Sequence, residues 1–197
     1  MCARATYSPM KKILLAVTAV VCGSGPRHGT VSKEPTQTAN DCGVVDTTSL
    51  TGNGYGDLRI GAPAANVRRT CHVVRDTILL GEEALPQRVI TVRTARGVVD
   101  AEVDSGRVFR IVVRQRVPRV AGSLGVGSEL GELLAASRAR GGEGEGGLFV
   151  VLDAYCGLSF RLAYAPADHR PDWTDDNLRE LPRHTTVDEV LAVGCPK

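Results

Sequence analysis

The chain has 197 residues, a formal net charge of +2 and 4% aromatic residues. Four of its 24 basic residues are lysine, and the arginines are spread along the chain, which excludes the clustered basic footprint of a nucleic-acid binder. Scarce aromatics exclude platforms on which bases or sugars stack.

The first elements fix where the protein works. Met10-Lys11-Lys12 precedes the apolar run Ile13–Val21, and Cys22-Gly23-Ser24-Gly25 forms a small-residue exit. This is the layout of a secretory signal, assigned to residues 1–23, and Met10 opens it more cleanly than Met1. The apolar run is too short to span a bilayer as a helix. The expectation is an exported protein, periplasmic or extracellular. Cys22 is where acylation would attach a lipid anchor, although Ala19-Val20-Val21 departs from the Leu-Ala-Gly pattern of lipoprotein signals, and cleavage near Gly23–Gly25 is the favoured reading. Contact with the membrane is expected only if Cys22 is acylated.

Residues 24–41 are polar, rich in Gly, Pro, Ser and Thr, and without periodicity, so they read as a flexible linker. Residues 42–197 then form one domain on the usual size prior, made of two similar halves at about 54–120 and 121–197. Cys42, Cys71, Cys156 and Cys195 are an even set in an exported chain, for which four cysteines allow three pairings. The expected bridges are Cys42–Cys71 and Cys156–Cys195.

Two segments inside the domain match. Gly56-Asp57-Leu58-Arg59-Ile60-Gly61-Ala62 aligns with Gly122-Ser123-Leu124-Gly125-Val126-Gly127-Ser128, each followed by an apolar residue, Val67 or Leu133. The alternation reads as a short strand, the second glycine as a tight turn, and the next residue as a helix start. Pro63 is placed at the first helical position and Ser128 at an N-cap for a helix over 128–137.

Between the copies lies a predicted three-stranded meander: Arg88–Ala95, a two-residue turn Arg96-Gly97, Val98–Asp104, a three-residue loop through Gly106, and a strand carrying Phe109 and Ile111 inward. This register sets Val92 and Phe109 opposite Ala101, Ile111 opposite Val99, and Arg93 and Arg110 opposite Asp100. Residues 138–147 read as a flexible loop. Leu148–Ala154 and Gly157–Tyr164 read as a hairpin, Thr174 as the cap of a short helix ended by Pro182, and Val187–Gly194 as a closing strand. The fold class expected is α+β, an antiparallel sheet in two meander or hairpin halves with short helices on one face.

The doubled motif resembles the tandem helix-and-sheet modules of the beta-lactamase inhibitory proteins and the related small lipoproteins of outer-membrane assembly. Their usual form is Gly-Met-Thr-x-x-Gln/Glu-Val. Here Gly61, Val67, Gly127, Glu132 and Leu133 match it, and Met-Thr is absent. The resemblance implies a non-enzymatic, protein-binding envelope module, and it carries no functional residues across. The chain also resembles exported bacterial proteins with a paired Ile-Gly and Val-Gly layout.

Chemistry-bearing clusters are few. Asp100, Glu102 and Asp104 alternate on one strand face, where ion pairing explains them better than a cation site, since hard metals need six or more converging oxygens. Cys156 with His169, Asp153 or Asp168 has the residue types of a thiol hydrolase, but a cysteine of an exported, even set reads first as a disulfide partner. No catalytic residue, metal ligand or cofactor is therefore assigned. The expected role is a protein-interaction or assembly module binding another envelope protein, with Trp173, Glu143 and Glu145 as interface candidates. A small-molecule or lipid carrier is the alternative, and a cysteine hydrolase comes third.

Overall fold

The computed structural model describes residues 41–45, 47–80, 85–120, 123–144, 147–167, 170 and 172–196. The signal, Cys22 and all of the linker but Asp41 lie outside them; Asp41 forms a β-bridge with Cys71. A small hairpin of β1 (Gly54–Tyr55) and β2 (Leu58–Arg59) leads into α1 (Ala64–Thr70). Four strands follow: β3 (His72–Leu80), β4 (Pro86–Thr94), β5 (Gly97–Asp104) and β6 (Arg107–Val113). The second half runs α2 (Leu130–Ala136), β7 (Ala139–Gly144), β8 (Gly147–Leu152), β9 (Leu158–Leu162), α3 (Asp175–Arg179) and β10 (Val187–Ala192). β3 to β10 form one antiparallel sheet in the order β3-β4-β5-β6-β10-β9-β8-β7. β6 and β10 therefore meet at its centre, and β3 and β7 are its edges. The fold is α+β, as expected.

α1 and α2 are each joined to the sheet through matching backbone bonds. Gly61 and Gly127 both sit at φ +83°, the left-handed region that glycine adopts without Cβ strain. The Gly61 N–H donates to Val108 O, and the Gly127 N–H to Val187 O, both at 2.7 Å. Ala64 N–H donates to Gly106 O and Leu130 N–H to Thr185 O, both at 2.8 Å. Val108 and Val187 in turn donate to Ala62 O and Ser128 O.

The helix starts differ from expectation by one residue. Pro63 is the cap of α1 with extended ψ, and its carbonyl accepts from the Asn66 and Val67 N–H groups. Glu129 caps α2 in a capping box with Glu132. Ser128 is buried instead, and its hydroxyl accepts from the Gly125 N–H and the Arg119 guanidinium. Thr174 caps α3, with Asn177 closing the box.

The core lies between the helices and one sheet face. It holds Val67, Leu130, Leu133 and Leu178 from the helices against Ile90, Val92, Ala101, Ile111, Leu148, Val150, Phe160 and Val190. Burying such aliphatic side chains stabilises by about 1.5–3 kcal/mol each before ordering costs. Cys42–Cys71 ties the first described segment to the end of α1, and Cys156–Cys195 ties the β8–β9 turn to the chain after β10. Both are the expected pairings, and they fit an oxidising compartment.

Three expectations are corrected. First, the meander has four strands, because His72–Leu80 pairs with β4 as an edge strand. Second, its registers differ. The β4–β5 turn is Ala95-Arg96, so Val92 faces Val99, Thr91 faces Asp100 and Arg93 faces Val98. That is a slip of two, which keeps every side chain on its expected face. The β5–β6 turn is the two-residue Ser105-Gly106, both at positive φ, followed by a register shift. Ile111 faces Ala101 and Arg110 faces Glu102, while Phe109 is the extra residue and turns outward. A bulge thus restores the inward alternation that a plain two-residue turn would have reversed. Third, residues 139–144 are not a loop but β7, paired with β8 from Ala139↔Leu152 to Gly144↔Gly147.

Candidate functional site

The described helices pack on one sheet face, and the opposite face holds most of the ordered charge. On adjacent strands one cross-strand row reads Thr91, Asp100, Val112, Leu191, Ser159, and another reads Glu189, Arg161, Phe149, Gly142. Alternation along each strand sets these residues opposite the core. Arg114 bridges the rows: its guanidinium lies 2.9 Å from Asp100 and 2.6 Å from Glu189, whose carboxylate is 2% exposed. Thr91 Oγ1 donates to Asp100 at 2.6 Å. Arg161 makes two bonds of 2.9 Å to Asp188. Arg110 pairs with buried Glu102, and its guanidinium lies 5.7 Å from the Phe109 ring.

The acidic strand face is therefore ion-paired, with partners other than those expected. Asp100 binds Arg114 and Thr91, and Glu102 binds Arg110. No three His, Cys, Asp or Glu side chains among the described residues converge as metal ligands. Sequence reasoning missed Arg114, Arg161, Asp188 and Glu189. The signal for Arg114 was present, since Arg110, Val112 and Arg114 alternate with the core residues Ile111 and Val113.

The interface candidates sit elsewhere, at the β7 edge. Trp173 is 4% exposed and packs in the core, so its indole is not a surface anchor. The physical reason is a strap formed by the chain before α3. Gly141 of β7 donates its N–H to Trp173 O at 2.7 Å, and a Cβ at Gly141 would stand 2.7 Å from Trp173 Cβ. Only glycine lets the strap lie so close. The indole N–H donates to Glu143 Oε1 at 2.8 Å, and the Arg170 N–H donates to the same oxygen at 2.9 Å. Glu143 is thus spent on holding the strap rather than presented to a partner. Glu145 lies outside the described residues.

Asp175, on the strap's helix, accepts from the Ala139 N–H at 3.0 Å and from Arg179 at 2.6 Å. The backbone N–H first, then Arg179, holds its carboxyl below the usual range. Beside it is an open recess of about 580 Å³ lined by Arg138, Arg140, Asp153, Asp175 and Asp176, within which Arg140 pairs with Asp153 at 3.3 Å. An apolar hollow of about 240 Å³ lies at the Cys156–Cys195 disulfide, between Leu50, Val120, Tyr155 and Leu158.

The thiol set is not assembled. Cys156 is bonded to Cys195 and has no thiol to ionise, Asp153 is paired with Arg140, and Asp168 and His169 lie outside the described residues. No described helix is long and apolar enough to cross a membrane.

No family model matches the sequence, and no curated protein matches it. Among solved structures, the fold is similar to that of the uncharacterized protein yfeY from Escherichia coli. The two superpose with a TM-score of 0.51 at 14% identity, over 74% of this chain and 99% of that one. The likeness is one of fold.

Proposed function

We propose that the chain is an exported, non-enzymatic interaction or assembly module that presents the helix-free face of its sheet to another envelope protein. The observation that carries this reading is the arginine network on that face. Arg110, Arg114 and Arg161 are each fixed by a carboxylate, with Phe149 half-buried and Val151 exposed beside them. Arginine and aromatic side chains are enriched at protein interfaces, and a pre-ordered guanidinium loses less entropy on binding. The two disulfides and the signal-like start support a periplasmic or extracellular site of action, with lipid anchoring only through Cys22.

In the same reading, the halves are one helix-and-meander module used twice. The matched bonds of Gly61 with Gly127 and of Ala64 with Leu130 support it, as does the mirrored strand order. This arrangement accords with the resemblance to tandem envelope modules.

The test is cross-linking in the native envelope, capture of the tagged protein and identification of what accompanies it. One abundant envelope protein is expected, and it should be lost from a Val151→Asp, Arg161→Ala variant that melts like the parent. Capture of the same partner by that variant would remove the face from the proposal. Recovery of only a bare chain would remove the interaction role.

A further inference from the structure

We infer that the protein forms a two-fold dimer by pairing the free edge of β3 with the same edge of a second copy. The two sheet edges are built differently. The β7 edge is sealed by its own chain, through the Gly141–Trp173 bridge and the bond from the Ala139 N–H to the Asp175 carboxylate. On the β3 side the described Asp41–Cys71 bridge ends just before the strand, and no described segment pairs with His72–Leu80 along that edge. β3 runs for nine residues without proline and, among the described residues, pairs with β4 alone. A long open edge is a template for another strand, and proteins that stay monomeric usually shorten, charge or cover it.

The exposed apolar surface collects at the same place. Val74, Ile78, Leu79 and Leu80 on β3 and Leu85 before β4 are all large and exposed, Ile78 by 63% and Leu80 by 76%. In the sealed half the corresponding corner is capped by buried Trp173 and Leu178, both supplied by the β9–β10 connection. The β5–β6 connection of the first half is only Ser105-Gly106, so it supplies no such cover. Arg68, Asp76 and Arg88 hold that corner instead, Asp76 accepting from both arginines at 2.7–2.8 Å.

A second copy is the occupant that fits the charge pattern. After the register shift at Val73/Arg75, the regular part of β3 carries Arg75 and Asp76 and is apolar beyond Thr77. A two-fold axis at Thr77, perpendicular to the sheet, sets Asp76 opposite Ile78 and Arg75 opposite Leu79 of the second copy. No like charges then face each other across the pair, an arrangement that would destabilise it. The axis keeps both helix layers on one side. Because each β7 edge is sealed, pairing stops at two copies, as a closed symmetry requires.

The experiment is sedimentation velocity on the purified protein with both disulfides formed, over about 1–100 µM, alongside an Ile78→Lys, Leu80→Lys variant. Both side chains are exposed, so the substitutions leave the core intact. A Val193→Lys control, at an exposed residue after β10, carries its charge away from β3. The parent and control should be dimers, and the β3 variant should dissociate at least ~100-fold more readily, equivalent to about 2.7 kcal/mol. Hydrogen exchange should show β3 amides gaining protection as parent concentration rises. A parent that is monomeric at ~100 µM overturns the inference, and so does a dimer that the β3 variant retains. Protection of β3 only on adding an envelope extract would also overturn it, by giving the edge to a foreign strand.

Discussion

Trp173→Ala tests the strap most directly. The indole is almost wholly buried, packs over Gly141, and donates to Glu143. Truncating a buried aromatic to alanine costs about 3–5 kcal/mol through lost transfer energy and the cavity left behind. Glu143 would lose one of the two donors named above but keep the Arg170 N–H, which adds about 1 kcal/mol. The site lies at a sheet edge and can partly collapse, which pulls the sum back towards about 4 kcal/mol. At roughly 2–4 °C per kcal/mol for a domain of this size, the melting temperature should fall by about 8–16 °C. Trp173→Phe keeps most of the volume and removes only the hydrogen bond, so it should cost about 1–2 kcal/mol. The chain has a single tryptophan, so unfolding of the variants is followed by far-UV circular dichroism or calorimetry rather than fluorescence. A Trp173→Ala protein within 1 kcal/mol of the parent would refute the reasoning, because the strap would then not be sealing the β7 edge.

Gly141→Ala should cost about 1–3 kcal/mol in the same assay, since its new Cβ meets Trp173 Cβ at 2.7 Å and Phe149 O at 3.2 Å and the strap must move. Replacing Cys156 and Cys195 by serine opens a bridge of 39-residue separation, for which the chain-entropy model gives about 4 kcal/mol, read from urea unfolding. Arg114→Ala removes a partner from the buried Glu189 carboxylate and should cost about 1–3 kcal/mol, discounted for the half-exposed arginine, whereas exposed Arg75→Ala should change little. Asp76 accepts from Arg88 and Arg68, and the Arg88 hydrogen bond first holds its carboxyl below the usual range. A depressed folded-state value means its contribution is complete above the unfolded pKa of about 4 and is lost as the pH falls through the lower folded value. Asp76→Asn should therefore flatten the acid limb of a stability–pH curve below about pH 4 and leave pH 5–8 unchanged in shape.

What was legible in the sequence had a local cause. Thr174 announces α3 because its hydroxyl and Asn177 complete the cap within four residues. Gly61 and Gly127 mark tight turns because they adopt a backbone that side chains oppose. The four cysteines allowed three pairings that sequence alone could not separate, and the expected one is the one formed. β7 was not legible, because Ala-Arg-Gly-Gly-Glu-Gly has no β-branched residue and nothing local favours a strand. It becomes one through Leu148, Val150 and Leu152 on one side and Trp173, thirty-two residues beyond Gly141, on the other. β3 failed for the opposite reason: its residues suit a strand, but an edge buries too few of them to leave a period of two. The candidate face was half legible. Its acids alternate visibly, but Glu189 and Arg114 meet only because β6 and β10 are neighbours across the centre of the sheet.

Phe109 links these cases. The hydrophobic pattern demanded that Ile111 point inward, and a two-residue turn with uninterrupted pairing would have turned it outward. A longer loop and a bulge both repair that conflict, and they differ in where they send Phe109. The loop buries it opposite Ala101, whereas the bulge turns it out beside Arg110. Ser105 and Gly106 at φ 47° and 77° suit the tight turn, whose twist matches that of the flanking strands. The inner position opposite Ala101 goes to Ile111, a β-branched residue that packs well on a pleated surface. Turn geometry and core shape thus agree on the bulge, and an aromatic ring is left on the outside of β6. That outcome places Phe109 beside the Arg110–Glu102 pair, so the candidate interface owes part of its composition to how a hairpin settles its register.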